Sequence, residues 1–384
     1  MTRPEADDVA LKLLHTADWH LGKRFRSFPE ADETQLTRAR LDVLDKILAA
    51  ARQRGVDAVL CAGDLFDEPA PSPEWWQPVA RKLSEWDAGI PVFLLPGNHD
   101  PLQPGSVYDR HHPFRRALPA WVHVVDDDAF THALGDVAVL HARPCRSRAG
   151  QEDPAMLLPA REPGDLRIRI GMVHGSTFDA VDCQTNFPIA KEAAALRGFD
   201  YLAIGDTHSF RVVPPGAVPP VVYPGAPEAT SFDEPGAGNV VAVFVSRSRR
   251  VRLEPEPVAS WRWQRRTATS LADLRDLRTE NLARAVMHLT VDARLTAVDM
   301  EEAEAILREL KGTSATHGRV GILQVDRSRM IVDTRGIESA LVDLPPVLRA
   351  TVAKLRELEG GEQAEHARAA LYHLYRTVRA ERRP

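Results

Sequence analysis

The sequence predicts an α/β fold in which parallel strands carry polar loops at their carboxyl ends. Short apolar runs, rich in β-branched and aliphatic residues and bounded by Gly, Pro or Asp, have the character of buried strands. There are five of them: Leu11–His15, Ala58–Cys61, Pro91–Leu95, Ile168–Val173 and Tyr201–Ile204. Each is closely followed by His, Asp or Asn residues. Because loops after parallel strands meet at one edge of a sheet, we expect these residues to converge.

Helices are expected between the first strands, which gives a β-α-β opening. An apolar stripe that begins at Leu41 and ends at Ala51 predicts a helix over Thr34–Arg54. A second helix is expected over Glu74–Trp86, and its three tryptophans are assigned to core packing. The segment from Asp100 to Ala120 has no periodicity, which predicts an irregular loop beside the site.

A smaller α/β part is expected to follow. Composition shifts at Glu254–Pro257, so the predicted domains are residues 9–257, 258–344 and 345–384. The apolar face of the last helix suits packing on its own domain and docking into a partner groove equally. The elements predicted after the five strands are strands at Val221–Tyr223, Asn239–Val245, Ala285–Val291 and Val320–Val325 and helices at Asp299–Leu310, Val347–Leu358 and Gln363–Arg379.

The polar groups at the strand ends contain the ligand types that divalent cations require. They are Asp18–His20, Gly63–Asp67, Gly97–Asp100, His174–Ser176 and Gly205–His208. Mixed oxygen and imidazole ligands favour Mn²⁺, Fe²⁺ or Mg²⁺ over a thiolate-type zinc. Two ions about 3.5–4 Å apart, bridged by a carboxylate, can clamp the attacking and leaving oxygens of a displacement at phosphorus.

These motifs resemble those of the calcineurin-like binuclear metallophosphoesterases, namely Asp-X-His, Gly-Asp-X-X, Gly-Asn-His-(Asp/Glu), His and Gly-His-X-His. Within that superfamily, Thr16–Gly22, Gly63–Ser72 and Tyr223–Glu228 are most similar to the SbcD-type DNA repair nucleases. The resemblance covers residues 10 to 250 approximately. It implies an αββα sandwich followed by a smaller C-terminal α/β capping domain and terminal helices. One position departs from the pattern, since Asp206 stands where the family has the first His of its last motif.

The resemblance implies a role for each motif residue. The first ion would have four ligands, Asp18, His20, Asp64 and His208. The second would have Asp64, Asn98, His174 and Asp206, so that Asp64 bridges the two ions. His99 would contact the scissile phosphate and assist the leaving group, with Asp100 as its orienting partner. The role of Asp67 is left open between a phosphate contact and a cap of the following helix. The expected cofactors are two divalent ions, Mn²⁺ first, with Mg²⁺ and Fe²⁺ as alternatives.

Charge and composition restrict the partners. The chain has 384 residues, of which 44% are apolar and 27% charged, as in ordinary globular proteins. The net charge of −5 gives no overall attraction to nucleic acid, so any DNA-binding surface must be local. Candidate contacts are Arg24 and Arg26, which flank Phe25 as a stacking ring, and Arg143, Arg146 and Tyr108.

The sequence also predicts a cytoplasmic location. The three cysteines, Cys61, Cys145 and Cys183, have no metal-ligand spacing and exclude a disulfide framework, which fits a reducing compartment. Residues Met1–Asp8 lack the apolar core of a signal peptide. No run approaches the roughly 18 apolar residues of a membrane span, so no membrane partner is expected.

The resemblance implies a metal-dependent DNA phosphodiesterase, an exonuclease or an endonuclease, that acts in DNA repair and recombination. DNA and an SbcC-type coiled-coil ATPase would be its partners, and a homodimer is left open. One alternative is a phosphodiesterase or phosphatase for nucleotides or other small molecules. Another is a non-catalytic DNA-binding scaffold protein. The basic loops and the additional domain favour DNA over a small molecule, and the complete set of metal-competent residues favours an enzyme over a scaffold.

Overall fold

Two six-stranded sheets form the framework of the first part of the chain. The computed structural model describes residues 8–86, 89–178, 185–313, 316–337 and 340–381, so Cys183 and residues 1–7 lie outside the described residues. It divides the chain into two units, Met1–Trp261 and Arg262–Pro384. Among the described helices, none combines the length and the apolar character needed to cross a bilayer.

The first unit contains helices and strands in alternation through its first half and mostly strands after that. Its helices are α1 (Glu30–Arg54), α2 (Pro73–Ser84), α3 (Pro113–Ala117) and α4 (Ala193–Arg197). Its strands are β1 (Val9–Thr16), β2 (Ala58–Cys61), β3 (Val92–Leu94), β4 (Val122–Val124), β5 (Phe130–Leu134), β6 (Ala138–Ala142), β7 (Ile168–His174), β8 (Thr177–Phe178), β9 (Ile189–Ala190), β10 (Tyr201–Gly205), β11 (Arg211–Val213), β12 (Val221–Tyr223), β13 (Asn239–Ser246) and β14 (Val251–Pro257).

The two large sheets stack face to face and are covered by helices on their outer faces. The first has the strand order β14-β13-β1-β2-β3-β4 and the second β11-β12-β10-β7-β6-β5. Leu13 and Leu60 of the first sheet share one buried apolar layer with Ile170 of the second. Helices α1 and α2 pack on the outer face of the first sheet and α4 on that of the second. The predicted αββα sandwich is confirmed.

The strands that precede the metal-type motifs are parallel neighbours. β1, β2 and β3 pair in parallel in the first sheet, and β7 and β10 do so in the second. Their carboxyl ends are in register, with Thr16 beside Cys61 and Gly205 beside His174. The following loops therefore emerge at the same edge of each sheet.

The second unit is a three-stranded parallel sheet with helices packed on it. The sheet order is β15-β16-β19, and α5, α6 and α8 share one apolar core with it. On α8, Leu371 and Val378 are buried in this core and Leu374 packs against it, so the apolar face is occupied within its own unit. The elements are β15 (Arg262–Ala268), α5 (Leu271–Leu277), β16 (Ala285–Thr296), α6 (Ala297–Lys311), β17 (Gly312–Thr313), β18 (Thr316–His317), β19 (Ile322–Asp333), α7 (Pro346–Leu358) and α8 (Ala364–Glu381).

Several local expectations differ from the structure. The segment Asp100–Ala120 contains the short helix α3, which buries Phe114, so the expectation of an irregular loop was wrong over those residues. The composition shift at Glu254–Pro257 falls within β14, which pairs with β13. Prolines are tolerated there because β14 is an edge strand, where a missing N–H leaves no partner strand unpaired.

Candidate metal centre

Backbone hydrogen bonds tie the polar loops to one another at the sheet edge. The N–H of Asp18 donates to the carbonyl of Gly63 at 3.0 Å, and the N–H of His20 donates to the carbonyl of Asp64 at 2.9 Å. The N–H of Asp206 donates to the Asp18 carboxylate at 3.0 Å, which joins the two sheets. Loops from both sheets therefore form one connected site.

Four of the predicted ligands have a left-handed backbone that non-glycine residues rarely adopt. The φ angles are 56° for Asp18, 42° for His20, 53° for Asp64 and 106° for Asp206. Each such conformation costs about 1–3 kcal/mol and persists only where the surroundings enforce it. This strain is concentrated where the side chains must converge.

The first cluster contains Asp18, His20 and His208, whose ligand atoms all lie within 4.8 Å of one another. Nδ1 of His20 is 3.0 Å from Asp67 Oδ1, and Nδ1 of His208 is 2.7 Å from Glu234 Oε1. These carboxylates make each Nδ1 a donor, so each neutral imidazole presents a lone pair on Nε2. The two Nε2 atoms face each other at 3.0 Å. Burial lowers the pKa of His208, but the hydrogen bond to Glu234 and the charge of Asp18 outweigh it and raise the pKa, so a proton can lie between the two Nε2 atoms when no ion is bound. A cation held by both nitrogens would take its place.

The second cluster contains Asp18, Asp64 and His174, again within 4.8 Å. Nδ1 of His174 lies 2.8 Å from the carbonyl oxygen of Ala62 and donates to it. Its Nε2 faces Asn98 Oδ1 at 2.9 Å and Asp64 Oδ2 at 3.4 Å. Nε2 therefore faces two acceptor oxygens and carries a proton when no ion is bound, and a cation bound here would take the place of that proton. The same Asp64 oxygen is 3.6 Å from His20 Nε2 of the first cluster, so Asp64 can reach an ion in either cluster, as a bridging ligand must. Asp18 also belongs to both clusters.

The pKa shifts follow from this crowding of buried groups. Burial lowers the pKa of His20 to about 4, so its imidazole is neutral at neutral pH. Burial raises the pKa of Asp18 to about 6, although His208 and His174 oppose the rise. For His174 burial lowers the pKa, but the charges of Asp64 and Asp18 outweigh it and raise the pKa well above its usual range. The buried negative charge therefore draws in a proton, and a divalent cation fits the same electrostatic demand.

Asp206 lies at the margin of the second cluster. Its Oδ1 is 4.0 Å from His174 Nε2, and its Oδ2 accepts a hydrogen bond from the Ser176 hydroxyl at 2.8 Å. About a quarter of its side chain is exposed. Its role as a ligand of the second ion stays a prediction.

His99 lies at the solvent-facing side of the site. The backbone N–H of His99 donates to Asp64 Oδ1 at 2.9 Å, and its ring centre is 4.8 Å from that of His20. Nδ1 is 3.2 Å from the carbonyl oxygen of Asp67, and 35% of the side chain is exposed. That position suits contact with a bound phosphate. Ligand atoms of His20, Asp64 and His99 also lie within 4.8 Å of one another, which leaves a ligand role for His99 to be tested.

The expectation that Asp100 orients His99 was wrong. The buried Asp100 carboxylate accepts hydrogen bonds from the N–H groups of Gly97 and Phe66 at 2.9 and 2.8 Å and from the Tyr108 hydroxyl at 3.0 Å. These bonds hold two motif loops together, because the short Asp side chain turns inward to the backbone. The histidine ring instead contacts the carbonyl of Asp67.

Two predicted DNA contacts are buried. The Tyr108 side chain is fully buried with its hydroxyl on Asp100, and Phe25 packs in the core, so neither ring faces a ligand. The expectation failed because aromatic rings gain more from the core than from solvent. Arg24 and Arg26 are exposed on either side of Phe25.

The second pair of predicted basic contacts, Arg143 and Arg146, forms salt bridges with a single aspartate. Arg143 and Arg146 contact the Asp128 carboxylate at 3.4 and 2.9 Å, which neutralises part of their charge. Their role in DNA binding stays a prediction.

Two carboxylates orient the imidazoles of the first cluster. Glu234, which belongs to no motif, accepts a hydrogen bond from His208. Asp67, the motif residue whose role was left open, accepts one from His20 and does not cap α2, whose N-cap is Ser72. Metal-binding histidines commonly donate their second ring nitrogen to a carboxylate or carbonyl, and these partners complete that arrangement. Glu234 lies 26 residues beyond His208 without a recognisable pattern, so sequence reasoning had no signal for it.

Comparison with known proteins identifies the family of this arrangement. The family profile described as calcineurin-like phosphoesterase matches residues 11–210, just over half of the chain. The chain is 28% identical over 244 residues to the uncharacterized metallophosphoesterase YhaO of Bacillus subtilis. It is 27% identical over 279 residues to the SbcD component of the nuclease SbcCD of Escherichia coli. It is 30% identical over 263 residues to the DNA double-strand break repair protein Mre11 of Haloferax volcanii.

These alignments are partial on both sides. They cover 62%, 60% and 65% of this chain and 58%, 64% and 53% of the three relatives, in the same order. The chain thus spans less than two thirds of the length of these relatives.

Proposed function

The chain belongs to the calcineurin-like phosphoesterase family, and from that premise we propose that it is a metal-dependent DNA phosphodiesterase of the SbcD type that acts in DNA repair. The observation that carries the hydrolytic part is the pair of buried clusters in which imidazole nitrogens and carboxylate oxygens, the ligand types of divalent cations, converge around Asp64. The choice of DNA is supported by two relatives whose names describe a component of a nuclease and a double-strand break repair protein.

The residues available to hold the ions fall into two sets that share Asp64. Asp18, His20 and His208 would hold the first ion with it. Asn98, His174 and Asp206 would hold the second. When bound, divalent cations supply positive charge to a phosphoryl group and a water nucleophile at neutral pH. Asp67, Glu234 and the Ala62 carbonyl keep the three imidazoles in the tautomer that exposes Nε2.

His99 would assist departure of the leaving group as a general acid. Its Nδ1 lies against the Asp67 carbonyl at 3.2 Å and donates to it, which leaves Nε2 to face the substrate. In the imidazolium form Nε2 would also carry a proton, which it would transfer to the departing oxygen, leaving the neutral ring. Its exposed position allows that contact without displacing a ligand.

The proposed partners follow the same reasoning. Arg24 and Arg26, exposed on the loop after the Asp18 motif, would contact backbone phosphates. The E. coli relative is named as one component of a nuclease complex, which supports the proposal of a partner protein, an SbcC-type coiled-coil ATPase.

The test is hydrolysis by the purified full chain with Mn²⁺ on end-labelled single- and double-stranded DNA, beside a generic aryl phosphodiester. We expect cleavage of DNA and of the small ester, and loss of both in Asn98→Ala. Cleavage of the small ester alone would favour a small-molecule phosphodiesterase. DNA binding without any cleavage would favour a scaffold protein.

A further inference from the structure

A buried arginine lies directly behind the first cluster. Arg40 belongs to α1, and only 2% of the residue is exposed. Its guanidinium donates to five backbone carbonyls in two segments. In the first segment the acceptors are the carbonyls of His20 at 3.3 Å, of Asp18 at 3.4 Å and of Trp19. In the second they are those of Glu228 at 2.8 Å and Ala229 at 3.4 Å.

Burying a charged guanidinium costs free energy, because the group loses its contacts with water. Burial lowers the pKa of Arg40 to about 10, so the side chain stays charged at neutral pH and its desolvation must be offset by hydrogen bonds. Among the cationic side chains, only a guanidinium presents donors in a rigid planar fork that can reach two segments at once. The shape of the group therefore matters as well as its charge.

The first of these segments is the strained one. Asp18 and His20 both have a left-handed backbone, and the Arg40 bonds end on the carbonyls of this turn. These hydrogen bonds oppose relaxation of the turn to an ordinary backbone conformation. Such a relaxation would point the side chains of Asp18 and His20 in other directions.

The second segment leads to the other imidazole of the cluster. Ala229 is followed by Thr230, whose N–H and hydroxyl both donate to Glu234. Glu234 in turn accepts from Nδ1 of His208 at 2.7 Å. One guanidinium thus joins the turn that carries Asp18 and His20 to the segment that orients His208.

We propose that Arg40 is a positioning residue that sets the separation of these two segments, so that His20 Nε2 and His208 Nε2 converge on one cation. The inference rests on the metal centre of the proposed function. It assigns a ligand-aligning task to a residue that contacts neither ion nor substrate. The first ion depends on this alignment through both of its imidazoles. Of the second cluster only Asp18 lies on a segment that Arg40 holds, so the second ion depends on Arg40 less.

The experiment measures Mn²⁺ binding to the full chain by titration calorimetry, with stoichiometry checked by elemental analysis. Two variants separate charge from shape: Arg40→Met removes both, and Arg40→Lys keeps the charge without the fork. We expect each to weaken binding of one of the two ions by about 10–100-fold, the usual effect of losing a ligand's orienting partner. The affinity for the other ion, which shares only Asp18 with these segments, should change much less.

A matched control is available at the opposite end of a strand. Arg169 is also 2% exposed and also donates to carbonyls, those of Arg197 and Pro159, but it lies near the start of β7, whereas His174 ends that strand. Arg169→Met should lower the unfolding temperature and leave both ions bound. Loss of an ion in the control would show that any buried arginine matters only through general stability.

The outcomes separate the two proposals. Wild-type protein that binds no Mn²⁺ refutes the metal centre itself. Wild-type protein with two ions, together with Arg40→Lys that binds both as tightly, refutes the positioning role alone. Should Arg40→Met not fold by circular dichroism, Arg40→Lys, which keeps the charge and the aliphatic stem, decides the question.

Discussion

Replacement of Glu234 tests whether an orienting carboxylate governs the metal site. Burial opposes ionisation of Glu234, but hydrogen bonds from His208 and Thr230 outweigh it and bring its pKa to about 2, against an ordinary value of 4.5. At about 1.4 kcal/mol per pKa unit, this corresponds to about 3 kcal/mol of interaction with the ionised form. His208 and Thr230 share that energy, so the link to His208 is worth about 1–2 kcal/mol.

From this magnitude we expect Glu234→Ala to weaken binding of one Mn²⁺ by about tenfold or somewhat more, since 1.4 kcal/mol is a factor of ten. Glu234→Gln keeps an acceptor oxygen and loses the charge, so its affinity should fall between those of Glu234→Ala and the wild type. Titration calorimetry measures both. Glu256→Ala serves as the control, because Glu256 pairs with Arg54 from the edge strand β14. Wild-type affinity and turnover in Glu234→Ala would refute the reasoning.

The other predictions concern the ligands and the proton balance. Asp64→Ala should lose at least one ion and nearly all hydrolysis, because the ions share this carboxylate; elemental analysis that finds two ions with near-normal turnover would contradict this. His99→Ala should keep its metal content and lose about 10²–10⁴-fold in turnover, the size of a general-acid contribution; parallel loss of metal would make His99 a ligand. Asp206→Ala should lose the second ion, while Asp206→His should stay active and accept a broader range of metals; two ions and wild-type rates in Asp206→Ala would show that Asp206 binds neither. Mn²⁺ binding should tighten as pH rises and level off above the raised pKa of His174, because the metal-free site retains a proton that the ion must displace; calorimetry in buffers of different ionisation enthalpy would detect the released proton, and pH-independent affinity would count against it.

Local patterns were sufficient for the framework of the first unit. Short β-branched runs and an apolar stripe at helical spacing indicate which faces of an element are buried. Because this pattern is local, β1, β2 and α1 could be predicted from residues that are close together in the sequence. Parallel pairing then brings Asp18 and Asp64 to one edge of the first sheet, and His174 and Asp206 to one edge of the second, without further information. The motif residues could therefore be grouped before any coordinates were known.

Packing between distant segments decided the rest. Arg40 and Glu234 carry no motif, and they matter because α1 and the chain after β12 fold against the same loops. Tyr108 and Asp100 form a buried hydrogen bond with each other, although the sequence predicted a DNA contact for Tyr108 and a contact with His99 for Asp100. The apolar face of α8 could have met a partner or its own sheet, and it meets its own core. Sequence periodicity shows which face of an element is buried, whereas the identity of the group that covers it depends on contacts between residues far apart in the chain.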